Sequence, residues 1–392
     1  MALLPAPIAA LATARSRLQN TLIDWATENS GSTHQAGLLR MADRLQSAFG
    51  ALPGVSSTRI QLPNTRSPAL LFSVRSEVTR RVLCSGHYDT VYDASHPFQN
   101  CTLLPDGRLG GPGVADMKGG LVVMHAALEA FEQLPSAAEL GWDVLLTPDE
   151  EIGSPYSAET IKKHAKGKCF ALVFEPGRAN GDIVRSRMGT GVLTASCHGR
   201  AAHAAQQPNN GRNAILALSE FLLRADALLS TFPGTLLNVG SITGGGVVNV
   251  VPELAEARLN IRASSINAGQ ALLNALRKTA ADLSSREGFR LDLVGEFERQ
   301  PKECRPEEER AFASYQAFFP LLGLPTPSWL DAGGGSDGNL LSEVGLPNLD
   351  GLGVVGGNLH SELEYCHPAS LTSRAQAAAL LLNELTRTSF SL

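Results

Sequence analysis

Acidic and imidazole side chains recur in this sequence at points where short apolar segments end or a helical pattern begins. In chain order these side chains are His87, Asp89, Asp116, Asp149, Glu150, Glu151 and Glu175. An imidazole and several carboxylates, without a thiolate, suit a divalent ion such as zinc, and also cobalt or manganese. Because a buried group of acids is costly without counter-charge, a pair of metal ions would also explain how these acids are tolerated.

The apolar segments that precede these side chains are predicted strands. Four β-type segments and two helical patterns alternate along the first part of the chain: strands at 69–72, 81–84, 143–146 and 170–174, and helices at 119–134 and 158–165. This alternation predicts an α/β fold with a mostly parallel mixed sheet flanked by helices. The carboxyl ends of parallel strands share one edge of a sheet, where ligands bind, so we expect the side chains to converge there.

The chain changes character near residue 188. It then shows β-type segments at 191–197, 236–242, 255–263 and 290–294, and helical patterns at 213–229 and 268–287. This β-α-β-β-α-β order is typical of a ferredoxin-like α+β unit. We therefore predict a catalytic domain in two parts, 1–187 and 301–392, with an inserted domain at 188–300.

Composition and charge exclude some classes of partner. The formal net charge is −5 and no Lys/Arg-rich segment occurs, whereas binding to nucleic acid needs a concentrated basic face. No apolar stretch approaches the ~20 residues that span a bilayer, so no membrane partner is expected. Residues 2–13 are apolar but lack the basic start of a secretory signal, which favours a cytoplasmic protein that acts on small molecules.

Seven short motifs together resemble one known family. They lie at 86–91, 113–120, 149–154, 174–177, 199–204, 334–338 and 359–361. In this order they resemble the metallopeptidases with co-catalytic zinc, which include glutamate carboxypeptidase, acetylornithine and succinyl-diaminopimelate deacylases, and aminoacylase. Glu175 and the pairs His360-Ser361 and Glu364-Tyr365 are similar in particular to the glutamate carboxypeptidase branch.

The resemblance implies a catalytic domain of the zinc-peptidase type that binds two zinc ions. Asp116 would bridge the two ions, His87 and Glu175 would hold one, and Glu151 and His360 would hold the other.

Two further acids receive roles from the same resemblance. Asp89 would accept the second ring N–H of His87 and fix its tautomer. Adjacent residues at a strand end point in opposite directions, so only one of Glu150 and Glu151 is expected to bind metal. The residues alone do not say which, and the resemblance makes Glu150 the general base.

Three residues of the inserted domain match the family's substrate-binding positions. The resemblance implies that His203 reaches the active site of the other subunit and stabilises the oxyanion, which makes a homodimer part of the mechanism. Asn249 and Arg262 would bind substrate, with the guanidinium holding a carboxylate. The residues alone also allow a turn histidine at 203 and a surface arginine at 262.

Four further candidates for substrate binding rest on weaker signals. Arg185 is placed to bind an acidic substrate side chain, although a solvated charge near a hinge explains it as well. Gly334, Gly335 and Gly357 lie in glycine-rich turns that let the backbone approach a substrate closely, and plain loops explain them equally.

The sequence thus predicts a zinc-dependent amidohydrolase that cleaves a small peptide-like or N-acyl amino acid substrate with a free carboxylate. A glutamate-carboxypeptidase-like exopeptidase is the first interpretation. A deacylase of the acetylornithine deacetylase type is the alternative, because both substrates present an amide next to a carboxylate. A non-catalytic, metal-stabilised binding protein is the third interpretation, since a fold alone does not guarantee activity.

Overall fold

A computed structural model describes residues 4–387, so both chain ends of the predicted catalytic domain lie outside the described residues. The chain forms two compact units. The larger unit comprises Met1–Arg185, Cys304–Asp331 and Ser336–Leu392, and the smaller unit comprises Ser186–Glu303 and Ala332–Gly335. Among the described residues, no helix is long and apolar enough to cross a membrane.

The helices and strands follow one another along both units. The α-helices are α1 (Ala6–Ala10), α2 (Arg15–Thr27), α3 (Gln35–Gly50), α4 (Lys118–Phe131), α5 (Ala158–Ala165), α6 (Ala214–Leu228), α7 (Ile266–Ser284), α8 (Pro306–Leu321), α9 (Asp337–Glu343) and α10 (Ala369–Leu385). The strands are β1 (Ser56–Ile60), β2 (Ala69–Val74), β3 (Arg81–His87), β4 (Thr102–Leu103), β5 (Leu109–Gly110), β6 (Gly141–Thr147), β7 (Phe170–Val173), β8 (Ile183–Arg187), β9 (Gly189–His198), β10 (Thr235–Gly244), β11 (Leu254–Ala263), β12 (Arg290–Arg299), β13 (Trp329–Ala332), β14 (Asn348–Asp350), β15 (Gly356–Gly357) and β16 (Tyr365–Cys366).

An eight-stranded sheet in the order β1-β2-β6-β3-β7-β14-β8-β13 forms the centre of the larger unit. Strands β6, β3, β7 and β14 run parallel, whereas β1, β2 and β8 are antiparallel to their neighbours. Along β3, Val82 and Cys84 face one apolar cluster and Leu83 faces another, so both faces of the sheet are buried. The predicted mixed sheet flanked by helices is confirmed.

Two glycines allow α4 to begin directly against the sheet. A Cβ atom at Gly120 would lie 1.9 Å from the carbonyl oxygen of Phe174, and one at Gly119 would lie 2.3 Å from that of Val114. Only glycine permits this approach. The loop that carries Asp116 is therefore held against the end of β7, next to Glu175.

A small four-stranded sheet in the order β15-β16-β5-β4 was not predicted. Its strands have two residues each, and β15 consists of Gly356 and Gly357. Such short segments show no alternation of apolar and polar residues, which is why the sequence pattern missed them.

The smaller unit has the predicted β-α-β-β-α-β order, formed by β9, α6, β10, β11, α7 and β12. Its antiparallel sheet has the order β10-β11-β9-β12, so the first strand lies in the middle. The side chains of Asn213 and Ser265 cap the two helices by accepting the N–H groups of Leu216 and Ala268. Residues 332–335 lie in the predicted catalytic domain but belong to this unit.

Candidate metal centre

Three neighbouring parallel strands bring most of the candidate ligands to one edge of the sheet. His87 is the last residue of β3, and Glu175 follows β7 by two residues. Glu150 and Glu151 follow β6 in a 3₁₀ turn formed by residues 150–152. Their backbone is therefore not a strand end as we had assumed, and their side chains are separated by a third of a turn rather than pointing in opposite directions.

Asp116 lies between the two imidazoles. Its Oδ1 is 3.2 Å from His87 Nε2, and its Oδ2 is 3.3 Å from His360 Nε2. His87 Nε2 is also 3.7 Å from Glu175 Oε1, and His360 Nε2 is 3.1 Å from Glu151 Oε2. The structure thus brings together all five predicted ligands in two sets that share Asp116.

The spacing of these donor atoms fits a pair of divalent ions. Two ligands that each lie about 2.0–2.1 Å from a tetrahedral zinc ion are roughly 3.3 Å apart. His87, Asp116 and Glu151 offer atoms within 4.8 Å of one another, and so do His87, Glu150 and Glu175. Nitrogen and carboxylate donors without a thiolate also suit zinc, cobalt or manganese.

The electrostatics of the cluster favour a cation. Burial and the charge of Asp116 raise the pKa of Glu151. Hydrogen bonds to Asp116 and Glu151 raise the pKa of His360. Burial lowers the pKa of His87, but hydrogen bonds to Asp116 and Asp89 outweigh it and raise the pKa well above its ordinary value. The acids thus favour the protonated, positively charged form of both imidazoles. A divalent ion bound among the acids would supply positive charge in place of those protons.

Burial raises the pKa of the Asp116 carboxyl, but hydrogen bonds from His360 and His87 outweigh it, so the pKa is lowered overall. This carboxyl therefore stays ionised between the two sets of donors. An ionised carboxylate with one oxygen facing each set has the form that bridges two metal ions.

Asp89 is fully buried and connects His87 to the turn that carries both glutamates. Its Oδ1 is 3.2 Å from His87 Nδ1 and accepts the backbone N–H of Glu150 at 3.1 Å. Its Oδ2 accepts the N–H of Glu151 at 3.2 Å and the hydroxyl of Ser32 at 2.7 Å. One carboxylate thus orients the imidazole and fixes the backbone of Glu150 and Glu151.

Two of the predicted substrate-binding residues, Gly357 and Arg185, belong to the larger unit and lie in two different sheets. Gly357 is paired with Tyr365 in the small sheet, where a Cβ atom would lie 2.9 Å from the tyrosine oxygen. Arg185 is exposed on β8.

In the smaller unit, His203 and Asn249 lie on adjacent segments. Ala204 donates its N–H to the carbonyl of Asn249 at 2.9 Å, and His203 pairs with Val250. The Nδ1 atom of His203 accepts the N–H groups of Ala205 and Gln206, each at 3.2 Å. The neutral ring therefore carries its proton on Nε2, where it can be donated.

Arg262 lies beside the glycine turn of the same unit. Its Nη1 donates to the carbonyl oxygen of Gly333 at 2.5 Å, and its Nε donates to Asn260 Oδ1 at 3.2 Å. Arg187 donates to the carbonyl of Gly334 at 3.3 Å and to that of Gly335 at 3.5 Å. Two arginines thus line a turn that contains both of the predicted glycines.

Sequence reasoning missed the roles of Ser32 and Glu364. Ser32 lies 57 residues before its partner Asp89 in the chain. Glu364 contributes to the motif resemblance, and its carboxylate also accepts the backbone N–H groups of Ala115 and Asp116. No local spacing indicates either contact, since each depends on how distant segments meet.

Peptidase family M20/M25/M40 matches residues 83–384, and the chain belongs to this family. It is therefore a metallohydrolase of the peptidase and amidohydrolase class, and the resemblance inferred from the motifs is confirmed.

Individual relatives differ in activity. The chain is 26% identical over 318 residues to carboxypeptidase G2 from Pseudomonas sp. (strain RS-16), covering 78% of this chain and 74% of the relative. It is 28% identical over 357 residues to a succinyl-diaminopimelate desuccinylase from Gluconacetobacter diazotrophicus, covering 86% and 90%.

Solved structures share the fold. Aminopeptidase PepT from Bacillus cereus superposes with a TM-score of 0.78 at 19% identity, covering 95% of this chain and 99% of the other. The metallo-carboxypeptidase Sso-CP2 from Sulfolobus solfataricus gives 0.73 at 17% identity, with the same coverage. At these identities the likeness establishes the fold alone.

The contacts of Asp89 generate the first prediction. In Asp89→Asn, one acceptor oxygen becomes an amide that faces N–H donors, so we expect zinc to bind about 10–100-fold more weakly. Calorimetric zinc titration of the metal-free protein measures this. Asp93→Asn, the same change at an exposed residue four positions later, is the control and should bind as the wild type does. Equal affinity in all three proteins would show that Asp89 does not support the ligands.

Proposed function

We propose that the protein hydrolyses the amide bond of a small peptide-like or N-acyl amino acid substrate that carries a free carboxylate. A glutamate-carboxypeptidase-like exopeptidase is the preferred form. The proposal is carried by one observation: Glu150 places a carboxylate oxygen within 4.8 Å of the donor atoms of His87 and Glu175, beside the set that contains Asp116. A carboxylate beside these donor atoms is placed to reach a water held among them, as a general base requires.

A pair of zinc ions, when bound, supplies Lewis acidity for the attacking water and the substrate carbonyl. His87 and Glu175 would hold one ion, Glu151 and His360 the other, and Asp116 both. Glu150 would take the proton of the attacking water and pass it to the leaving amine.

His203 supports the proposal through its tautomer. Since Nδ1 accepts two backbone N–H groups, the proton of the neutral ring lies on Nε2 of an exposed histidine. A donor of this kind would stabilise the negative charge that develops on the carbonyl oxygen.

The positions of His203 and Arg262 within the smaller unit favour a homodimer. His203 and Asn249 lie beyond the Leu254 end of β11. At that end the N–H of Gly199 donates to the carbonyl of Glu253, and the N–H of Val251 donates to the carbonyl of Ala202. Arg262 lies eight residues further along the strand, or roughly 26 Å away. A substrate of three residues spans at most roughly 11 Å. If both groups contact one substrate, they come from two chains.

The outer strand of the same unit also favours association. β10 is an edge strand, and its side chains Leu236 and Ile242 are exposed. Leu216 and Leu223, seven residues apart on α6, are exposed on one face of that helix. An unpaired edge with apolar side chains is a natural pairing surface for a second copy. Homodimer formation and the cytoplasmic location stay predictions.

Arg262 is the residue proposed to recognise the substrate carboxylate. Its contacts with Asn260 and Gly333 use Nε and one hydrogen of Nη1, and the guanidinium has five N–H donors. Asn249, Gly334, Gly335 and Gly357 would line the remaining path of the substrate, and Arg185 would bind an acidic side chain.

The deacylase remains the second candidate. It is favoured by the 28% identity to the desuccinylase, which extends over 86% of this chain. A non-catalytic binding protein is disfavoured, because all five ligand positions and Glu150 carry competent side chains.

Glu150→Gln tests the chemistry. We expect kcat to fall by about 10²–10⁴-fold while both metal ions still bind, because the amide cannot accept the proton. The measurement is zinc-dependent release of amino acid from a panel of peptides with C-terminal Glu or Asp and of N-acyl amino acids. Glu159→Gln, at an exposed residue of α5, is the control. Cleavage limited to C-terminal Glu or Asp supports the carboxypeptidase, and cleavage of the N-acyl amino acids supports the deacylase. Full activity of Glu150→Gln would refute the base assignment.

Heterodimers test the role of His203. Two chains with different tags are co-expressed, one carrying His203→Ala and the other Glu150→Gln, and the mixed dimer is purified. If His203 acts on the other subunit, one of the two sites is complete, and we expect about half of the wild-type rate.

The reciprocal heterodimer is the matched control. One chain carries both substitutions and its partner is wild type. Action across subunits predicts almost no activity here, since each site lacks one group. Half activity in this dimer and none in the first would show that His203 serves its own chain.

A further inference from the structure

Glu364 is a buried acid, four residues after His360, that contacts the loop of Asp116. It is 2% exposed. Its Oε1 accepts the N–H of Ala115 at 2.9 Å and that of Asp116 at 3.1 Å. Its Oε2 accepts the N–H of Gly113 at 3.2 Å. One carboxylate thus satisfies three backbone donors of the segment that presents the shared ligand.

Tyr92 joins this contact to the segment that follows His360. Its hydroxyl is 3.0 Å from Glu364 Oε2 and 2.8 Å from the carbonyl oxygen of Ser361. The tyrosine is 3% exposed, and its ring packs against Phe98 at 5.1 Å between centroids. The phenol therefore lies between the buried carboxylate and the backbone next to the second imidazole.

The arrangement matters because Asp116 faces both imidazoles. Its two oxygens lie 3.2 and 3.3 Å from their ring nitrogens, so a small shift of its loop changes both distances. An ionised carboxylate makes stronger hydrogen bonds to N–H groups than a neutral acceptor does. Loss of these bonds would also leave buried backbone N–H groups without a partner, which destabilises the loop.

We propose that Glu364, supported by the Tyr92 hydroxyl, is a positioning residue. It holds the loop that carries Asp116 at a fixed position relative to the segment that carries His360. The inference rests on the proposed metal pair. Glu364 itself bonds to backbone groups and to a phenol, and it acts on the metal ions only through Asp116 and His360.

Two variants and one control test this. Glu364→Gln replaces one acceptor oxygen with an N–H₂ group that faces N–H donors, and Tyr92→Phe removes only the hydroxyl. Glu362→Gln makes the same change as the first variant at an exposed residue of the same loop. Each protein is titrated with cobalt(II), and its visible absorption spectrum, its affinity for each ion and its kcat and KM are recorded.

We expect Glu364→Gln to bind at least one cobalt ion about 10–100-fold more weakly and to show an altered spectrum. At saturating cobalt its kcat should fall while its KM changes less than about twofold, since the residue does not touch substrate. Tyr92→Phe should show smaller changes in the same direction, because only the hydroxyl contacts are lost. Glu362→Gln should match the wild type.

Wild-type cobalt affinity and spectrum in Tyr92→Phe and Glu364→Gln would overturn the proposal, even if both proteins unfold at lower temperature. That result would mean a purely structural role. If Glu364→Gln does not fold, Tyr92→Phe decides alone by the same two readouts. A wild type that binds two ions but cleaves no amide would refute the proposed function and leave the affinity comparison valid.

Discussion

The architecture of the larger unit depends on one costly interaction, which is the crowding of several buried carboxylates around two imidazoles. Asp116 is shared between the two rings, while Glu151 and Glu175 each approach one of them. Buried carboxylates that surround the same two rings repel one another and lose hydration. They therefore stay together only when positive charge lies among them. The fold supplies the rigid support, and a metal pair fits as the source of that charge.

Several buried carboxylates support this cluster through contacts with backbone N–H groups. Asp89 binds the N–H groups of Glu150 and Glu151, and Glu364 binds those around Asp116. Gly120 lets α4 begin against β7, which fixes the approach of the Asp116 loop to Glu175. The segments that carry Asp116 and Glu151 are therefore held at their main chain.

The sequence predicted the features that follow from periodicity and from strand ends. The central strands, the βαββαβ unit and the convergence of His87 with Glu175 follow from apolar segments and parallel topology. Contacts between distant segments were not predictable, such as those of Ser32 with Asp89 and of Tyr92 with Glu364. The small sheet that contains Gly357 has strands too short for a pattern, and the 3₁₀ turn of Glu150 has no distinctive composition.

Anomalous diffraction at the zinc absorption edge, from crystals of the zinc-loaded protein, tests the central claim most directly. The account predicts two peaks about 3.5–4 Å apart, one on each side of the Asp116 carboxylate. One peak should lie next to His87 and Glu175 and the other next to Glu151 and His360. A single peak at saturating zinc, or two peaks away from Asp116, would contradict the assignment of a shared binuclear centre.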